Sequence, residues 1–537
     1  MLFHVHNDTV SVYRFFHPPL TPTGAGLFLA SENPVMNTRK HQASARVAAT
    51  LHPSKYISVA LLLGALSGCA FSDLTTSAHM SEPQGMEQTL ADSDLKLSAA
   101  AWPSETWWTS YNDAQLNVLV AQALSGSPTL RAAAARVHQA NALEDIQGAS
   151  LLPNAEVGVS VTRERFSSNG TTPAPAKGTW QNVHQGTFNL SYELDFWGKN
   201  REAVKAAVGR RHALEVDERA AALMLSTSVV QAYIALQDNY EQLDLAQALL
   251  DQQEQIEKLT QQRFEAELGT QIDIKQSQAA LPASRANIAA LREVIELNQN
   301  KLASLLGKGP DRGRTITRPR MRASSTVTLP TNLPAELIGH RPDVVAQRWR
   351  VEASGHEIEV AKARFYPNVN LTSFIGMQSL AFDTFNDHSS RILGVSPAIS
   401  LPIFEGGRLR GNLDAQNAAY DLAVENYNQT VIDALRDIAD QIASLRWLKE
   451  RLAQQNEAVA TAQAASDLVN SRYAAGLATY LQVLATQNAT LAEKRQLVTL
   501  QSRALSLQAN LSRALGGGYS PQIQPDADVT STAAKKS

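Results

Sequence analysis

The chain has 537 residues and a formal net charge of −3, so its bulk charge gives no argument for a nucleic-acid partner. Its single cysteine excludes an intrachain disulfide and a metal site built from several cysteines. Only 6% of the residues are aromatic, and long stretches rich in Ala, Leu, Gln, Glu and Arg have the composition of long helices and coiled coils.

The N-terminal region has the pattern of a secretory signal. A short apolar run begins at Tyr56 and ends in small residues, and four basic residues precede it: Arg39, Lys40, Arg46 and Lys55. Residues 1–35 fit no signal pattern, so either translation starts at Met36 or the leader is unusually long. We predict that residues 1–68 are a leader outside the fold. No apolar run of about 18 residues or more follows residue 70, so the sequence predicts no transmembrane helix in the mature chain.

The leader ends in a motif for lipid attachment. Leu66-Ser67-Gly68-Cys69 resembles a bacterial lipobox, in which the cysteine is lipidated and becomes the mature N-terminus. The alternative is a chance cysteine at the end of the signal core. In families with this motif, Asp after the cysteine retains a lipoprotein in the inner membrane, so Ala70 points to the outer membrane. Each buried CH₂ of an acyl chain contributes about 0.8 kcal/mol, so several chains anchor a protein firmly.

One series of motifs occurs twice, about 210 residues apart. The first copy contains Leu152-Pro153-Asn154, Leu194-Asp195-Phe196-Trp197-Gly198, Arg263-Phe264-Glu265-Ala266 and Leu305-Leu306-Gly307. The second contains Tyr366-Pro367-Asn368, Pro402-Ile403-Phe404-Glu405-Gly406, Arg472-Tyr473-Ala474-Ala475 and Ala514-Leu515-Gly516. The conserved order predicts a tandem internal duplication. Its predicted parts are a lipidated extended segment (69–110), a first repeat (111–310), a linker (311–330), a second repeat (331–518) and a disordered C-terminal tail (519–537).

Four segments alternate between apolar and polar residues, at roughly 155–165, 186–196, 368–378 and 391–403. Each has about 10 residues, the length of a tilted membrane strand. A soluble, half-buried sheet is the alternative. The long polar loops at 167–185 and 379–390 and the lipid anchor favour the membrane.

Four strands cannot close a barrel, and an open edge is not viable in lipid. Closure therefore requires several copies. Two copies give eight strands, whose interior is filled by side chains. Three copies give twelve strands, which on that trend leave an open lumen, so the sequence favours a trimer.

Two very long helices follow the strand pairs, because no proline lies between Pro175 and Pro282 or between Pro402 and Pro521. Each run of about 65–70 residues would be about 100 Å long, and its heptad rhythm indicates a coiled coil. Each run breaks at the repeated Arg-aromatic motif, and a return helix of about 35 residues follows. Pro282 should kink the first return helix. Shorter helices are predicted at about 112–126, 128–150, 333–339 and 342–365. A simple soluble coiled coil is the alternative, but it does not explain why each long helix starts at the end of a membrane-like strand.

At this point the chain resembles the TolC family of outer-membrane channels, in particular its lipidated OprM/NodT branch. The resemblance covers roughly residues 100–520 and is carried by four motifs: Tyr366-Pro367-Asn368, Leu401-Pro402-Ile403-Phe404-Glu405-Gly406-Gly407-Arg408, Arg472-Tyr473-Ala474-Ala475-Gly476-Leu477 and Gly339-His340-Arg341-Pro342-Asp343. It implies an α+β membrane fold: a homotrimer with a twelve-stranded outer-membrane β-barrel that continues into a periplasmic coiled-coil α-barrel. It also implies passive export of drugs or other small molecules, with a periplasmic adaptor and an inner-membrane resistance-nodulation-division transporter as partners.

The resemblance also implies that the periplasmic end closes near the two hairpin tips. Its candidate gate residues here are Asp273, Tyr473, Gln482 and Ala485, and its candidate adaptor contacts are Arg263, Phe264, Leu268, Arg472, Gly476 and Leu477. The chain departs from the family at Gln482 and Ala485, where such channels often carry Asp. Asp273 is then the main acidic ring at the mouth. The alternative is that Asp273 only stabilises a helix start.

The sequence contains no catalytic motif that we can support. His356-Glu357 begins a zinc-protease pattern, but Val360 stands where the second histidine would be. We therefore expect neither an enzyme nor a cofactor apart from the lipid on Cys69. Two other functions stay open: an outer-membrane duct for type I protein secretion, and a coiled-coil envelope lipoprotein that transports nothing.

Overall fold

The computed structural model describes residues 76–83, 85–91, 96–98, 102–322, 328–331 and 333–520. The predicted leader, the predicted lipid site Cys69 and nearly all of the predicted C-terminal tail lie outside these residues. Within them the elements run in the following order: α1 (Glu87–Ala91), β1 (Lys96–Leu97), a 3₁₀ helix (Trp107–Tyr111), α2 (Ala114–Gly126), α3 (Pro128–Ala149), β2 (Asn154–Arg165), β3 (Trp180–Leu194), α4 (Lys199–Glu265), α5 (Gln271–Leu305), α6 (Asp311–Arg314), β4 (Thr328–Leu329), α7 (Leu333–His340), α8 (Pro342–Ala363), β5 (Asn368–Ser379), a second 3₁₀ helix (His388–Ser390), β6 (Arg391–Ser400), α9 (Arg408–Ala474) and α10 (Tyr480–Ala514).

The duplication is visible in the lengths of the elements. The two long helices α4 and α9 have 67 residues each, and the two return helices α5 and α10 have 35 each. The helices that precede the strand pairs, α3 and α8, have 22 residues each. At about 1.5 Å per residue, a 67-residue helix is about 100 Å long. The predicted long helices and helical hairpins are therefore confirmed.

The four long strands form one antiparallel sheet in the order β2-β3-β5-β6. The register places Val157 opposite Phe188, Phe188 opposite Ile375, and Ile375 opposite Leu393. Directly opposite residues share a face of the sheet, so one face is apolar across all four strands, as predicted. Glu156, Asn189 and Phe374 are opposite one another in the same way and lie on the other face, which is mainly polar.

Three strand boundaries differ from the prediction by two residues or more. The strand β3 begins at Trp180, because the polar segment 181–185 pairs with residues 160–164 of β2. The predicted loop 167–185 is shorter for that reason. The strand β3 ends at Leu194. The next residue, Asp195, accepts hydrogen bonds from backbone N–H groups in the first turn of α4. The strand β6 ends at Ser400, two residues before Pro402, which has no N–H to donate to a ladder.

The apolar face of the sheet is open to the outside within the described chain. The side chains of Val159 and Leu393 on this face are 80% and 77% exposed. A contiguous apolar surface of this kind marks a contact with protein or membrane. The outer edges of β2 and β6 likewise have no strand partner among the described residues. The sheet is therefore incomplete in a single copy, as the sequence predicts.

Glycines in the left-handed conformation connect the strands to the long helices. Gly198 precedes α4 with φ 78°, and Gly407 precedes α9 with φ 89°. Residues with a Cβ rarely adopt this conformation, so both glycines suit the sharp corner. The return helix α5 continues without interruption through Pro282, and the predicted kink stays a prediction.

Short helices pack against the middle of the long ones and form the main cores. In one core, Val229, Tyr233 and Leu236 of α4 pack with residues of α2, α5 and α10. In the other, residues of α9 pack with α7 and α8. The sequence predicted no membrane-spanning helix. Among the described helices, α4 alone is long and apolar enough to cross a membrane, judged by length and composition. Half of its apolar window is buried inside the protein, so core packing accounts for this apolar stretch.

A buried arginine connects the start of α8 to α9 and α10 within the second repeat. Arg341, which is 7% exposed, begins α8 in the Gly-His-Arg-Pro-Asp motif. Its guanidinium donates to Asp343 at 3.0 and 2.7 Å, to Asp437 of α9 at 3.2 Å, and to the Ala514 carbonyl of α10 at 3.2 Å. Since a buried charge needs this many partners, the motif fixes the start of α8 against both long-hairpin helices.

Candidate functional site

Both hairpin tips have the same backbone structure. After α4, the Leu268 N–H donates to the Arg263 carbonyl at 2.8 Å, and after α9 the Leu477 N–H donates to the Arg472 carbonyl at 2.8 Å. This six-to-one bond, next to a residue in the left-handed conformation, is a Schellman motif. The left-handed residue is Gly476 in the second tip and Glu267 in the first, with φ of 77° and 61°. Gly269, which follows Leu268 in the first tip, does not have positive φ.

Both return helices begin with a capping box, formed by Thr and Asp in α5 and by Thr and Gln in α10. In the first, the Asp273 carboxylate accepts from the Thr270 N–H at 3.1 Å and from its hydroxyl at 2.8 Å, and the Asp273 N–H donates to the Thr270 hydroxyl at 3.2 Å. In the second, the Gln482 carbonyl oxygen accepts from the Thr479 N–H at 3.0 Å. Asp273 and Gln482 are thus equivalent helix-start residues. The structure supports the helix-start interpretation of Asp273 and leaves the constriction ring as a proposal.

Arg263 joins the first tip to the second. Its guanidinium donates to the Tyr473 carbonyl and, at 3.1 Å, to the Leu268 carbonyl, and it lies 4.7 Å from the centroid of the Tyr473 ring. The Tyr473 hydroxyl is 2.8 Å from the Thr260 hydroxyl of α4. We call Thr260, Arg263 and Tyr473 the tip clamp. Sequence reasoning placed Arg263 among the adaptor contacts and missed both Thr260 and this pairing.

The tip clamp covers a small apolar core between the two hairpins. Tyr473 and Tyr480 are each 3% exposed, and they pack with Ile256 and Val483. Burial raises the pKa of the Tyr480 phenol, and the nearby Tyr473 and Asp273 raise it further. Tyr473 therefore lies inside one protomer, between its two hairpins. Any gate that includes it acts through the relative position of the hairpins.

The predicted adaptor contacts differ in their exposure. Leu268 and Leu477 are 67% and 70% exposed at equivalent positions of the two tips. Ile272 and Leu481, one helical turn further on, are also exposed, at 68% and 65%. This second pair was not predicted from the sequence, although its two residues are 209 positions apart, as Leu268 and Leu477 are. Each tip therefore presents an equivalent pair of aliphatic side chains that are about two-thirds exposed.

The remaining candidates lie at the surface of the tips. Phe264 is 39% exposed, and Ala485 and Gly476 are exposed. Arg472, the equivalent of Arg263 in the second repeat, is exposed too. Its guanidinium has no hydrogen-bond or ion-pair partner within the described chain, so the two arginines play different structural roles.

Comparison with known proteins assigns this architecture. The family model described as "Outer membrane efflux protein" matches residues 119–308 and 333–517, once for each repeat. The chain belongs to the outer membrane efflux protein family. Its members are channels, and its TolC-type fold, with strands in the outer membrane and a large periplasmic part, is the fold found here.

Individual members of the outer membrane efflux protein family agree with this assignment. The chain is 33% identical over 465 residues to the multidrug resistance outer membrane protein MdtP of Escherichia coli strain K12, covering 84% of this chain and 94% of that protein. It is 39% identical over 365 residues to the fusaric acid resistance protein FusA of Burkholderia cepacia, covering 66% and 67%. The crystal structure of the outer membrane protein VceC of Vibrio cholerae matches with a TM-score of 0.74 at 39% identity, covering 78% of this chain and all of that one. The chain is an outer-membrane efflux channel protein.

Proposed function

We propose that three copies of this chain join edge to edge into one twelve-stranded barrel that exports small molecules passively. The observation that supports this proposal most strongly is the four-stranded sheet. Its edge strands β2 and β6 are each paired on one side only within the described chain. Backbone groups at such edges must be paired in a membrane. Pairing β6 of one copy with β2 of the next satisfies both edges.

The strand lengths support a membrane-spanning barrel. The longest strand, β3, has 15 residues. At about 3.4 Å per residue and a tilt of about 45°, it rises about 36 Å along the barrel axis. That height is sufficient for a hydrocarbon core of about 30 Å. The exposed apolar face then contacts lipid, and the mainly polar face lines the lumen.

The hairpin tips support a role in a pump of three components. We propose that a periplasmic adaptor contacts the exposed side chains of Leu268, Leu477 and their neighbours, and that an inner-membrane resistance-nodulation-division transporter supplies the energy. The names of MdtP and FusA refer to multidrug resistance and fusaric acid resistance, which supports small molecules as the cargo. A lipid on Cys69 completes the proposed attachment to the outer membrane.

The tips also suggest how the periplasmic mouth is closed. We place Asp273, Gln482 and Ala485 at a constriction formed by the three copies, with Tyr473 holding the second hairpin to the first behind it. The capping boxes fix Asp273 and Gln482 at the first turn of their helices. Opening then requires the second hairpin to move away from the first, which breaks the tip clamp.

Two measurements on the full-length protein test this function. Single-channel recording in a planar bilayer should show discrete pores, and chemical crosslinking should yield a trimer. A detergent-stable monomer that forms no pores would overturn the proposal. Co-purification after crosslinking in cells then identifies the partners: recovery of an adaptor and a resistance-nodulation-division transporter supports the pump, whereas recovery of a protein-secretion transporter would contradict the proposed cargo.

A further inference from the structure

A cavity of about 400 Å³ lies where the sheet meets the helices. Its walls come from the end of β3, the start of β5, the end of β6 and the first turns of α4 and α9. The lining includes Leu194, Trp197, Arg364, Tyr366 and Glu405. It belongs to one protomer and is distant in sequence from the hairpin tips.

One wall of the cavity is aromatic and adjoins Leu194 of the apolar face, and Glu193, Asn368 and Ser400 of the polar face line the cavity as well. The Trp197 and Tyr366 rings are stacked with centroids 4.7 Å apart, and the indole N–H donates to the Pro367 carbonyl at 2.8 Å. Both rings stay about half exposed, at 51% and 43%. Leu194 lies opposite Val369 on the apolar face. Exposed Trp and Tyr at the end of a membrane strand are typical of the headgroup level.

Of the three cations that line the cavity, two are paired within the described residues and Arg364 is not. Lys199 contacts Glu193, Arg201 contacts Asp195, and Arg408 contacts Glu405. Arg364, the residue directly after α8, lines the cavity. Its guanidinium has no hydrogen-bond or ion-pair partner in the part of the chain that the structure describes. Among the charged side chains that line the cavity, Arg364 is therefore the cation that is left without a partner in the described residues, and it lies in the same cavity as the two aromatic rings.

We propose that this cavity binds the phosphate of a glycerophospholipid from the inner leaflet of the outer membrane. Arg364 contacts the phosphate, because a guanidinium forms strong, paired hydrogen bonds with phosphate oxygens. Trp197 and Tyr366 contact the glycerol region, and the acyl chains continue along the apolar face past Leu194. A free phosphate would gain nothing from the aromatic wall, so the geometry favours a lipid. This inference rests on the proposed barrel.

The test uses the purified full-length protein in detergent and native mass spectrometry. The probes are dihexanoyl-phosphatidylglycerol, the same diacylglycerol without phosphate, and glycerol 3-phosphate without acyl chains. We expect the wild type to bind the phospholipid at about one per chain. Arg364→Gln should weaken this binding at least tenfold, whereas Arg364→Lys should retain part of it. Arg410→Gln is the matched control, because Arg410 is an exposed arginine at the start of α9 that does not line the cavity.

The possible outcomes separate this inference from the proposed channel. Equal phospholipid binding by wild type and Arg364→Gln, or equal loss in Arg410→Gln, would overturn the lipid site. Diacylglycerol binding as tight as phospholipid binding would remove the role of the phosphate, and glycerol 3-phosphate binding as tight would remove the role of the membrane. Pores of normal conductance in Arg364→Gln would show that the channel stands independently, while absence of pores in the wild type would refute the barrel itself.

Discussion

The tip clamp makes a sharp prediction for Arg263→Gln. The substitution removes the two hydrogen bonds from the guanidinium to the Tyr473 and Leu268 carbonyls and its contact with the Tyr473 ring. Only the hydrogen bond to the Tyr473 carbonyl and the contact with the Tyr473 ring join the two hairpins, because Leu268 belongs to the same tip as Arg263. A hydrogen bond of a charged group contributes about 1.5–3 kcal/mol when buried and less when half exposed, and an exposed cation–π contact contributes about 0.5–1 kcal/mol, so we expect a loss of about 2 kcal/mol per chain. That corresponds to about a 30-fold shift toward separated hairpins. In a three-chain channel that opens jointly, the shift per channel is larger.

Single-channel recording measures this shift directly. Arg263→Gln should raise the open probability or the resting conductance, and thermal unfolding should confirm that the variant stays folded. Arg472→Gln is the matched control, since Arg472 stands 209 residues later at the equivalent position and has no partner for its guanidinium in the described chain. Unchanged conductance in Arg263→Gln, or an equal change in Arg472→Gln, would refute the clamp as the element that holds the tips together.

Three further predictions concern the tips and the helical core. Asp273→Asn should weaken the block of channel conductance by a multivalent cation on the periplasmic side by about tenfold, which equals about 1.4 kcal/mol. Gln482→Asp should strengthen this block while it keeps the capping box. If neither substitution changes the block, the acidic ring is excluded. Glu267→Gly should stabilise the first tip by about 1 kcal/mol, because glycine adopts the left-handed conformation without the steric cost of a Cβ. Hydrogen exchange of the tip amides should become slower, and faster exchange would contradict this reasoning. Burial raises the pKa of Asp238, which accepts a hydrogen bond from Ser502 at 2.9 Å, so its folded state binds a proton more readily than its unfolded state. The free energy of unfolding should then rise as the pH falls through that raised pKa. Asp238→Asn should raise the melting temperature at pH 7 but not at a pH below the ordinary Asp pKa of about 3.9. A gain in melting temperature that does not depend on pH would rule out the carboxylate as its source.

The long elements could be predicted because their signals are local. The absence of proline and the heptad rhythm define α4 and α9, and Gly198 and Gly407 mark their starts. The strand faces follow from strict alternation. The start of β3 was missed because residues 181–185 are mostly polar, and only pairing with β2 makes them a strand.

The tip clamp could not be predicted from either repeat alone. Arg263 and Tyr473 are 210 residues apart, and the same motif in the second repeat places Arg472 where it has no comparable contact. The difference arises from packing between the repeats, which no local pattern encodes. Ile272 and Leu481, in contrast, could have been found by extending the comparison of the two repeats by one helical turn.

The equal helix lengths have a consequence for any protein that docks on the tips. Because α4 and α9 both have 67 residues and both start at the foot of the same sheet, their tips end at nearly the same depth. A ring of three chains would then offer six ends of alternating kind, with pseudo-sixfold rather than strictly threefold symmetry. A docking protein would find two similar but chemically distinct docking sites on each chain. One has Glu267 at its turn and the other has Gly476.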